Sequence, residues 1–145
     1  MHRNRIIDEV KLRLAAKFPG AVFLEEQSYD PARMPSYSIW EDTENSDKYK
    51  NMTKKGYRIY TRRLPIEMEF CFLEEETEKQ KEEGRIRIQE IREAIEPEGD
   101  FWLVENATGE KLVTEYFEES ADVALIYTPI TIAVVRYVFE YADTI

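Results

Sequence analysis

The strongest constraint in this chain is a segment in which apolar and acidic side chains alternate. Within residues 65–73 the even positions are apolar and two odd positions are acidic: Ile66, Met68, Phe70 and Phe72 against Glu67 and Glu69. Successive side chains point to opposite faces of a strand, so this pattern predicts one buried face and one solvent face. Residues 57–64 continue the strand material, and the two stretches form either two strands or one long strand bent at Pro65.

Two amphipathic helices are predicted to cover the apolar face. In residues 4–18 apolar side chains recur at spacings of three and four, and Pro19-Gly20 ends the helix. The second helix covers residues 74–96 and stops at Pro97. Its apolar stripe is confined to the second half: Ile88, Ile91, Ala94 and Ile95. Because the first half (EEETEKQKEE) is charged on every side, we expect those turns to project into solvent or to break at Gly84.

The remaining strands complete a sheet. They are predicted at residues 21–24, 37–41, 101–105 with 111–117 as a hairpin, and 130–141. The last strand is apolar on both faces, which predicts a central position, whereas residues 120–127 carry no clear pattern. The sequence therefore predicts a single α+β domain over residues 1–145, with a mostly antiparallel sheet of about six strands and two helices on one face.

Size and composition fit one folded core without a membrane segment. The chain has 145 residues, of which 43% are hydrophobic, and this is a common size for a single domain. Apolar runs such as residues 132–135 are too short to cross a bilayer, and the first ten residues lack the apolar core of a signal peptide. We expect a soluble cytosolic protein in which Cys71 is a reduced thiol.

Charge is distributed unevenly along the chain. The net charge is -10, which disfavours a general nucleic-acid binder held by phosphate contacts. Residues 46–63 have the opposite sign, with seven cations against Asp47 alone and a net charge of +6. The seven cations are Lys48, Lys50, Lys54, Lys55, Arg58, Arg62 and Arg63.

Residues 42–56 (DTENSDKYKNMTKKG) have almost nothing to bury, which predicts a long polar loop that acts as a mobile or binding arm. One interpretation is a solvated lysine-rich loop, and another is an arm that docks on an acidic surface, including that of a neighbouring copy. Docking between copies in head-to-tail fashion would generate rings or filaments. A nucleic-acid contact by the arm alone is a third interpretation, opposed by the surrounding negative charge. Aromatic residues that flank the arm are candidate interface anchors as well as core residues: Tyr37, Trp40, Tyr57 and Tyr60.

Groups that support catalysis or bind metals are scarce. The sole histidine, His2, lies far in sequence from the sole cysteine, and the five glycines are scattered singly, so no phosphate-binding loop is predicted. Glu67 and Glu69 fit the solvent face of a sheet, although a hydrolase with a carboxylate site is a further interpretation. We predict no catalytic, cofactor-binding or metal site.

The order of the elements resembles the tail terminator, or tail completion, proteins of long-tailed bacteriophages, the family that includes the minor tail protein U of lambda-like phages. The likeness covers nearly the whole chain and is one of architecture and length. It is carried by an N-terminal helix (RIIDEVKLRLAAKF), a short strand, a polar loop, an alternating strand (PIEMEFCFL) that runs into a second helix (RIRIQEIREAIE), and a final apolar strand (ITIAVVRYVFEY).

The resemblance implies a structural phage or prophage protein that is not an enzyme and needs no cofactor. It implies a homo-oligomeric ring, expected to be a hexamer, that caps the tail tube and meets the head–tail connector proteins. DNA would only pass through the lumen, and no membrane is involved. The protein would occupy the host bacterial cytoplasm during assembly and then the head-proximal end of the virion tail.

By analogy with that family, the subunit or tail-tube interface is assigned to the basic arm: Lys48, Lys50, Lys54, Lys55, Tyr57, Arg58, Arg62 and Arg63. An alternative is a small cytosolic α+β binding or regulatory module whose acidic surface meets a basic protein partner.

Overall fold

A computed structural model of the chain describes residues 2–26, 28–46, 52–54 and 57–144. These residues form two helices, α1 (His2–Lys17) and α2 (Thr77–Ile95), and seven strands. The strands are β1 (Val22–Phe23), β2 (Ser36–Glu41), β3 (Asn45–Ser46), β4 (Met52–Lys54), β5 (Tyr57–Leu73), β6 (Glu115–Tyr127) and β7 (Ile130–Thr144). The predicted α+β class is confirmed.

The sheet is built around the long strand β5. Its order is β1-β2-β5-β7-β6, and β3 and β4 also pair with β5. Only the β1–β2 pairing is parallel, so the sheet is mostly antiparallel as predicted. The apolar strand β7 lies between β5 and β6, which confirms its central position. β5 continues through Pro65 as one strand, the second of the two predicted possibilities.

The predicted polar loop at 42–56 contains strands in its described part. β2, β3 and β4 follow one another along the same edge of β5, opposite 66–71, 62–63 and 57–59 respectively. Together with β5 they form a long, interrupted hairpin, because Lys54 pairs with Tyr57 and only two residues lie between them. The expectation of an irregular loop is therefore wrong for Asn45–Ser46 and Met52–Lys54, whereas mobility of the arm stays a prediction.

Both helices cover the same face of the sheet, as predicted. The alternating residues of β5 expected to be buried are buried there, and α1 and α2 pack over them. The centre of this core is formed by Ile6, Val10, Leu14, Leu64, Ile66, Met68, Ile91, Ile95, Val135, Tyr137 and Phe139. The opposite face of β5 carries Glu67, Glu69 and Cys71 and is not covered by α1 or α2. The expectation that it is a solvent face is wrong for Glu69 and Cys71, because both are buried.

The first half of α2 also packs on the sheet, which corrects the expectation that it projects into solvent or breaks. Gln80 is buried and its Nε2 donates to Oγ1 of Thr131 on β7 at 2.9 Å. Gly84 is buried against Val123 of β6. The buried side of this half of α2 consists of Gln80 and Gly84. Neither residue is hydrophobic, so the apolar pattern of the sequence does not predict this contact.

The predicted hairpin of 101–105 with 111–117 forms only at its tip, where the backbone N–H of Glu105 donates to the carbonyl of Glu110 and that of Leu112 donates to the carbonyl of Trp102. Residues 97–114 are irregular apart from one isolated bridge between Val104 and Lys111, and 115–117 belong to β6 instead. The Asp100 carboxylate accepts hydrogen bonds from the backbone N–H groups of Trp102 and Val104, which turns the chain away from an extended path. Residues 115–127 instead form the thirteen-residue strand β6, which pairs with the edge of β7.

Neither helix in the described part of the chain has an apolar stretch long enough to span a bilayer.

Candidate functional site

The structure divides the predicted interface residues into separate groups. Lys48, Lys50 and Lys55 lie outside the described residues. Lys54, Tyr57 and Arg58 lie where β4 meets the start of β5, whereas Arg62 and Arg63 lie further along β5, inside the sheet. The five described residues of this set therefore occupy two separate stretches of strand.

The meeting point of β4 and β5 lies beside the end of the described β5–β7 pairing. In the part of the chain that the structure describes, β7 pairs with β5 only as far as Ile59 opposite Thr144. β4 continues the pairing with β5 to Lys54 opposite Tyr57. Residues 52–54 and 57–58, here called the hairpin end, lie at the end of β5 next to its last described pair with β7. Their sequence contributes Lys54 and Arg58, with Lys55 between the two strands.

Arg62 and Arg63 contact acidic residues of their own chain. As consecutive residues of a strand they point to opposite faces of the sheet. The Nε atom of Arg62 lies 3.7 Å from Oδ2 of Asp143, and that of Arg63 lies 3.7 Å from Oε2 of Glu140. Because β7 supplies both carboxylates, these contacts depend on a strand register that the local sequence does not reveal. The two arginines therefore stabilise the sheet of their own subunit.

Cations of α1 are also engaged within the chain. Arg5 makes ion pairs with Glu105 at 2.9 Å and with Glu110 at 2.7 Å, and its hydrogen bond lowers the pKa of Glu105 to about 2. Arg13 lies 2.6 Å from Oδ2 of Asp100 and also donates to the backbone carbonyl of Val104. These contacts hold the irregular segment 97–114 against α1.

An acidic groove lies along the outer edge of β2. Its volume is about 530 Å³, and it is lined by Glu25, Glu26, Ser38, Ile39, Trp40 and Glu41. Trp40 is 59% exposed, whereas most aromatic residues of the sheet are buried. We call this feature the β2 groove. Trp40 is one of the aromatic residues predicted as candidate interface anchors, whereas the sequence predicts no role for Glu25 and Glu26.

β1 covers only the first part of the outer edge of β2. It pairs with Ser36 and Tyr37, and the backbone N–H of Leu24 donates to the carbonyl oxygen of Tyr37 at 3.0 Å. Beyond this point the chain turns away through Glu25 and Glu26, which form a wall of the groove. The rest of β2 therefore borders the groove, and no strand among the described residues pairs with it on that side.

The helix-free face of the sheet carries a smaller charged cluster. Arg136 of β7 donates to Oδ2 of Asp42 at 2.8 Å, and this bond lowers the pKa of Asp42. Arg136 also lies 3.6 Å from Glu119, and a cavity of about 200 Å³ beside it is lined by Trp40, Asp42, Glu67 and Arg136. The cluster cross-links β7 to both flanking parts of the sheet.

The groups considered for chemistry stay apart. Among the described residues, no three of the His, Cys, Asp and Glu side chains are arranged to hold a metal ion. Cys71 is 3% exposed, and burial together with the Glu69 charge raises the pKa of its thiol to about 11. A thiol with this pKa is protonated at neutral pH and is a poor nucleophile.

Comparison with known proteins gives no assignment. No protein-family model matches the chain, and no curated protein matches it. Function has to be inferred from the surfaces that the fold exposes.

Proposed function

We propose that this protein is a structural virion assembly protein of a bacteriophage or prophage, of the tail terminator type, and not an enzyme. It forms a ring that caps the tail tube and joins it to the head. The observation that carries the proposal is the hairpin end, a paired and cationic part of an otherwise acidic subunit.

The charge distribution supports contacts between copies. Residues 46–63 carry +6, so the rest of the chain carries -16. Arg62 and Arg63 contact carboxylates of their own sheet. The positive charge that the proposal assigns to a partner contact is therefore that of residues 46–58, whose sequence has five lysines and arginines against Asp47. A positive patch that fits a different, negative patch on an identical molecule produces head-to-tail contacts, and these close into rings when the rotation allows it.

The family resemblance supplies the remaining parts of the proposal. The ring is a hexamer, its partners are the tail tube and the head–tail connector proteins, and DNA passes through its lumen without a specific contact. The protein acts in the host bacterial cytoplasm during assembly and then at the head-proximal end of the virion tail. The α+β architecture with a long hairpin is compatible with this role.

Light scattering on a sizing column, at low and high salt and over a wide concentration range, tests the proposal. We expect an oligomer that weakens with salt and that appears in negative stain as a ring with an open centre. Reversing the charge with Lys54→Glu and Lys55→Glu should abolish it, whereas Lys79→Glu with Lys81→Glu, an equal change on the exposed side of α2, should not. A monomer at every concentration and both salt levels would contradict the ring.

The β2 groove favours a second candidate function. Glu25 and Glu26 beside an exposed tryptophan form a surface suited to a basic protein segment, whereas the third glutamate of the groove, Glu41, already pairs with Arg3. A binding or regulatory module would use this groove as a monomer and would capture a basic partner of a different sequence. The scattering experiment separates the two candidates because only the ring requires self-association.

A further inference from the structure

We infer that the β2 groove is the docking site for the hairpin end of a second copy, which adds to the outer edge of β2 as an additional strand. This inference rests on the proposed function, because it names the contact that joins neighbouring subunits of the ring. It identifies both partners of that contact by residue.

The outer edge of β2 has the backbone groups that strand addition needs. In an antiparallel pair, alternate residues direct their N–H and C=O groups away from the partner strand. Tyr37 is such a residue, since its carbonyl accepts from Leu24 on the outer side. By alternation Ile39 and Glu41 also face outward. Within the described residues, no backbone hydrogen bond reaches either of them from that side.

The opposite edge of the sheet is protected against the same kind of pairing. β6 has register shifts between Glu118 and Ser120 and between Leu125 and Tyr127. Bulges of this kind interrupt the regular spacing of hydrogen-bonding groups and are common at edges that do not pair. β2, in contrast, keeps six consecutive pairs with β5 without a shift. The outer edge of β2 is therefore more regular than that of β6 and better suited to pair with an added strand.

Charge identifies the occupant. The groove carries Glu25 and Glu26, together with Glu41, which lies 3.3 Å from Arg3 of the same chain. The hairpin end belongs to the most cationic segment of the chain. Five cations elsewhere in the chain make ion pairs within it: Arg5, Arg13, Lys17, Arg92 and Arg136. The exposed ring of Trp40 provides a face on which an ammonium or guanidinium group is stabilised.

Charge also excludes the symmetric arrangement. Two β2 edges paired with each other would bring six glutamates together, and like charges in an interface oppose binding. The contact therefore runs from the hairpin end of one copy to the groove of the next. Because strand addition combines backbone hydrogen bonds with side-chain contacts, it fixes both the position and the order of neighbouring subunits.

The hairpin end is suited to act as the added strand. Tyr57 and Arg58 follow one another at the start of β5, before Ile59, the last described partner of β7. β4 holds them in an extended conformation. A segment that is already extended loses less conformational entropy on docking than a disordered one.

Cross-linking between separately purified full-length variants tests the inference. One variant carries Lys54→Cys and the other Glu26→Cys, and a short bismaleimide joins them after mixing at low salt. We expect a covalent heterodimer from the mixture and not from either variant alone, since the native Cys71 is buried. Adding Trp40→Ala and Glu25→Lys to the Glu26→Cys variant should reduce the yield of the cross-linked heterodimer at least tenfold.

The matched control moves the acceptor to the other edge of the sheet. Glu119→Cys places an exposed thiol on β6, and its mixture with Lys54→Cys should give at least tenfold less heterodimer. An equal yield at both edges, or none at Glu26→Cys, overturns the inference. A monomer without cross-links also overturns it and leaves the groove to a basic segment of another protein.

The outcomes for the two proposals are distinguishable. Rings in negative stain without a Glu26→Cys cross-link would leave the tail terminator proposal standing and remove the groove as the subunit contact. A specific cross-link from particles that are open filaments, and not rings, would keep the groove and contradict the tail terminator proposal.

Discussion

Gly84 of α2 lies so close to Val123 of β6 that a methyl group at position 84 would sit 2.5 Å from Cγ1 of the valine. Carbon atoms in contact normally stay 3.5–4.0 Å apart, so this separation leaves no room for a side chain. Glycine in a helix costs about 1 kcal/mol relative to alanine. The close contact of helix and sheet therefore depends on a residue that by itself weakens the helix.

We predict that Gly84→Ala lowers the free energy of unfolding by about 1–2 kcal/mol. Overpacking typically costs about 1–3 kcal/mol, and the better helix propensity of alanine offsets part of it. Urea unfolding of the variant measures the difference, and adding Val123→Ala should recover part of the loss.

Gly20→Ala is the matched control, because a methyl group there would meet nothing within 4 Å. We expect its stability to change by less than about 0.5 kcal/mol. Equal effects at the two glycines would contradict the packing argument.

The two arginines inside the sheet should differ in their contribution to stability. The Glu140 side chain that meets Arg63 is only 5% exposed, whereas the Asp143 side chain that meets Arg62 is 45% exposed. Replacing Arg63 with Met removes a cation from a buried carboxylate, and we expect a loss of about 1–2 kcal/mol after allowing for the exposure of the arginine itself. Arg62→Met should cost less than about 1 kcal/mol.

Chemical denaturation of both variants at pH 7 and low salt checks this order. If Arg62→Met were the more destabilising of the two, the assignment of Glu140 as the buried partner would be contradicted. Because Arg62 and Arg63 contact carboxylates of their own chain, reversing their charge would destabilise the fold. A loss of assembly in such a variant could then result from the folding defect alone. Lys54 and Lys55 are therefore the better positions for the assembly test.

The attachment of segment 97–114 to α1 should weaken in acid. Burial raises the pKa of Asp100, but the Arg13 hydrogen bond and two backbone N–H groups outweigh it and leave the pKa below its ordinary value. The Arg5 hydrogen bond lowers the pKa of Glu105 from 4.5 to about 2. A carboxyl group with a lowered pKa in the folded state stabilises the protein above its unfolded pKa, and this stabilisation is lost as the pH falls through the folded value.

We therefore predict a steeper loss of stability between about pH 4.5 and pH 2 in the wild type than in Glu105→Gln or Asp100→Asn. Urea unfolding at a series of pH values measures the slope. Glu82→Gln, at an exposed position of α2, serves as the control and should keep the wild-type slope. An unchanged slope in all three variants would contradict the role of the two carboxylates.

Cys71 should react slowly with thiol reagents in the native protein. At pH 8 a thiol with a pKa of about 11 has a thiolate fraction of about one in a thousand, against about one in four for an ordinary cysteine. Burial at 3% exposure slows access further. We expect modification by a disulfide reagent, followed by absorbance, to be at least 100-fold slower in buffer than in denaturant.

A native rate within tenfold of the unfolded one would mean that this face of the sheet opens readily. A Cys71→Ser variant, which lacks the thiol, provides the blank for the absorbance measurement. The result also bears on the cross-linking experiment, which requires the native cysteine to stay silent.

Local patterns were sufficient for much of this fold. The alternation around Ile66–Phe72 predicted β5 because the two faces of one strand differ strongly in polarity. The apolar stripes of α1 and of the second half of α2 predicted the helix-covered face for the same reason. β7 was predicted to be central because both of its faces are apolar, and the sheet order agrees.

Features that depend on pairing partners were not predictable. β3 and β4 carry polar residues, and their strand conformation comes from β5 alongside them and not from their own composition. The 101–117 hairpin was predicted from the residues 106–109, but the Asp100 carboxylate binds backbone groups that a strand would need. The β2 groove was not recognised because it exists only where β1 ends beside β2.

The central pairing of β5 with β7 has a consequence for the rate of folding. Its partners are distant in sequence, from 57 residues apart for Leu73 and Ile130 to 85 for Ile59 and Thr144. The β2–β5 and β6–β7 hairpins, in contrast, can form from local contacts. Joining two such halves requires closure of a long loop before the core is complete, and chains dominated by non-local pairings fold more slowly than helical ones. Until β5 and β7 pair, the edge that each presents to the other stays exposed. During this interval a strand from a neighbouring identical chain can pair with β5 or β7 in place of the chain's own strand.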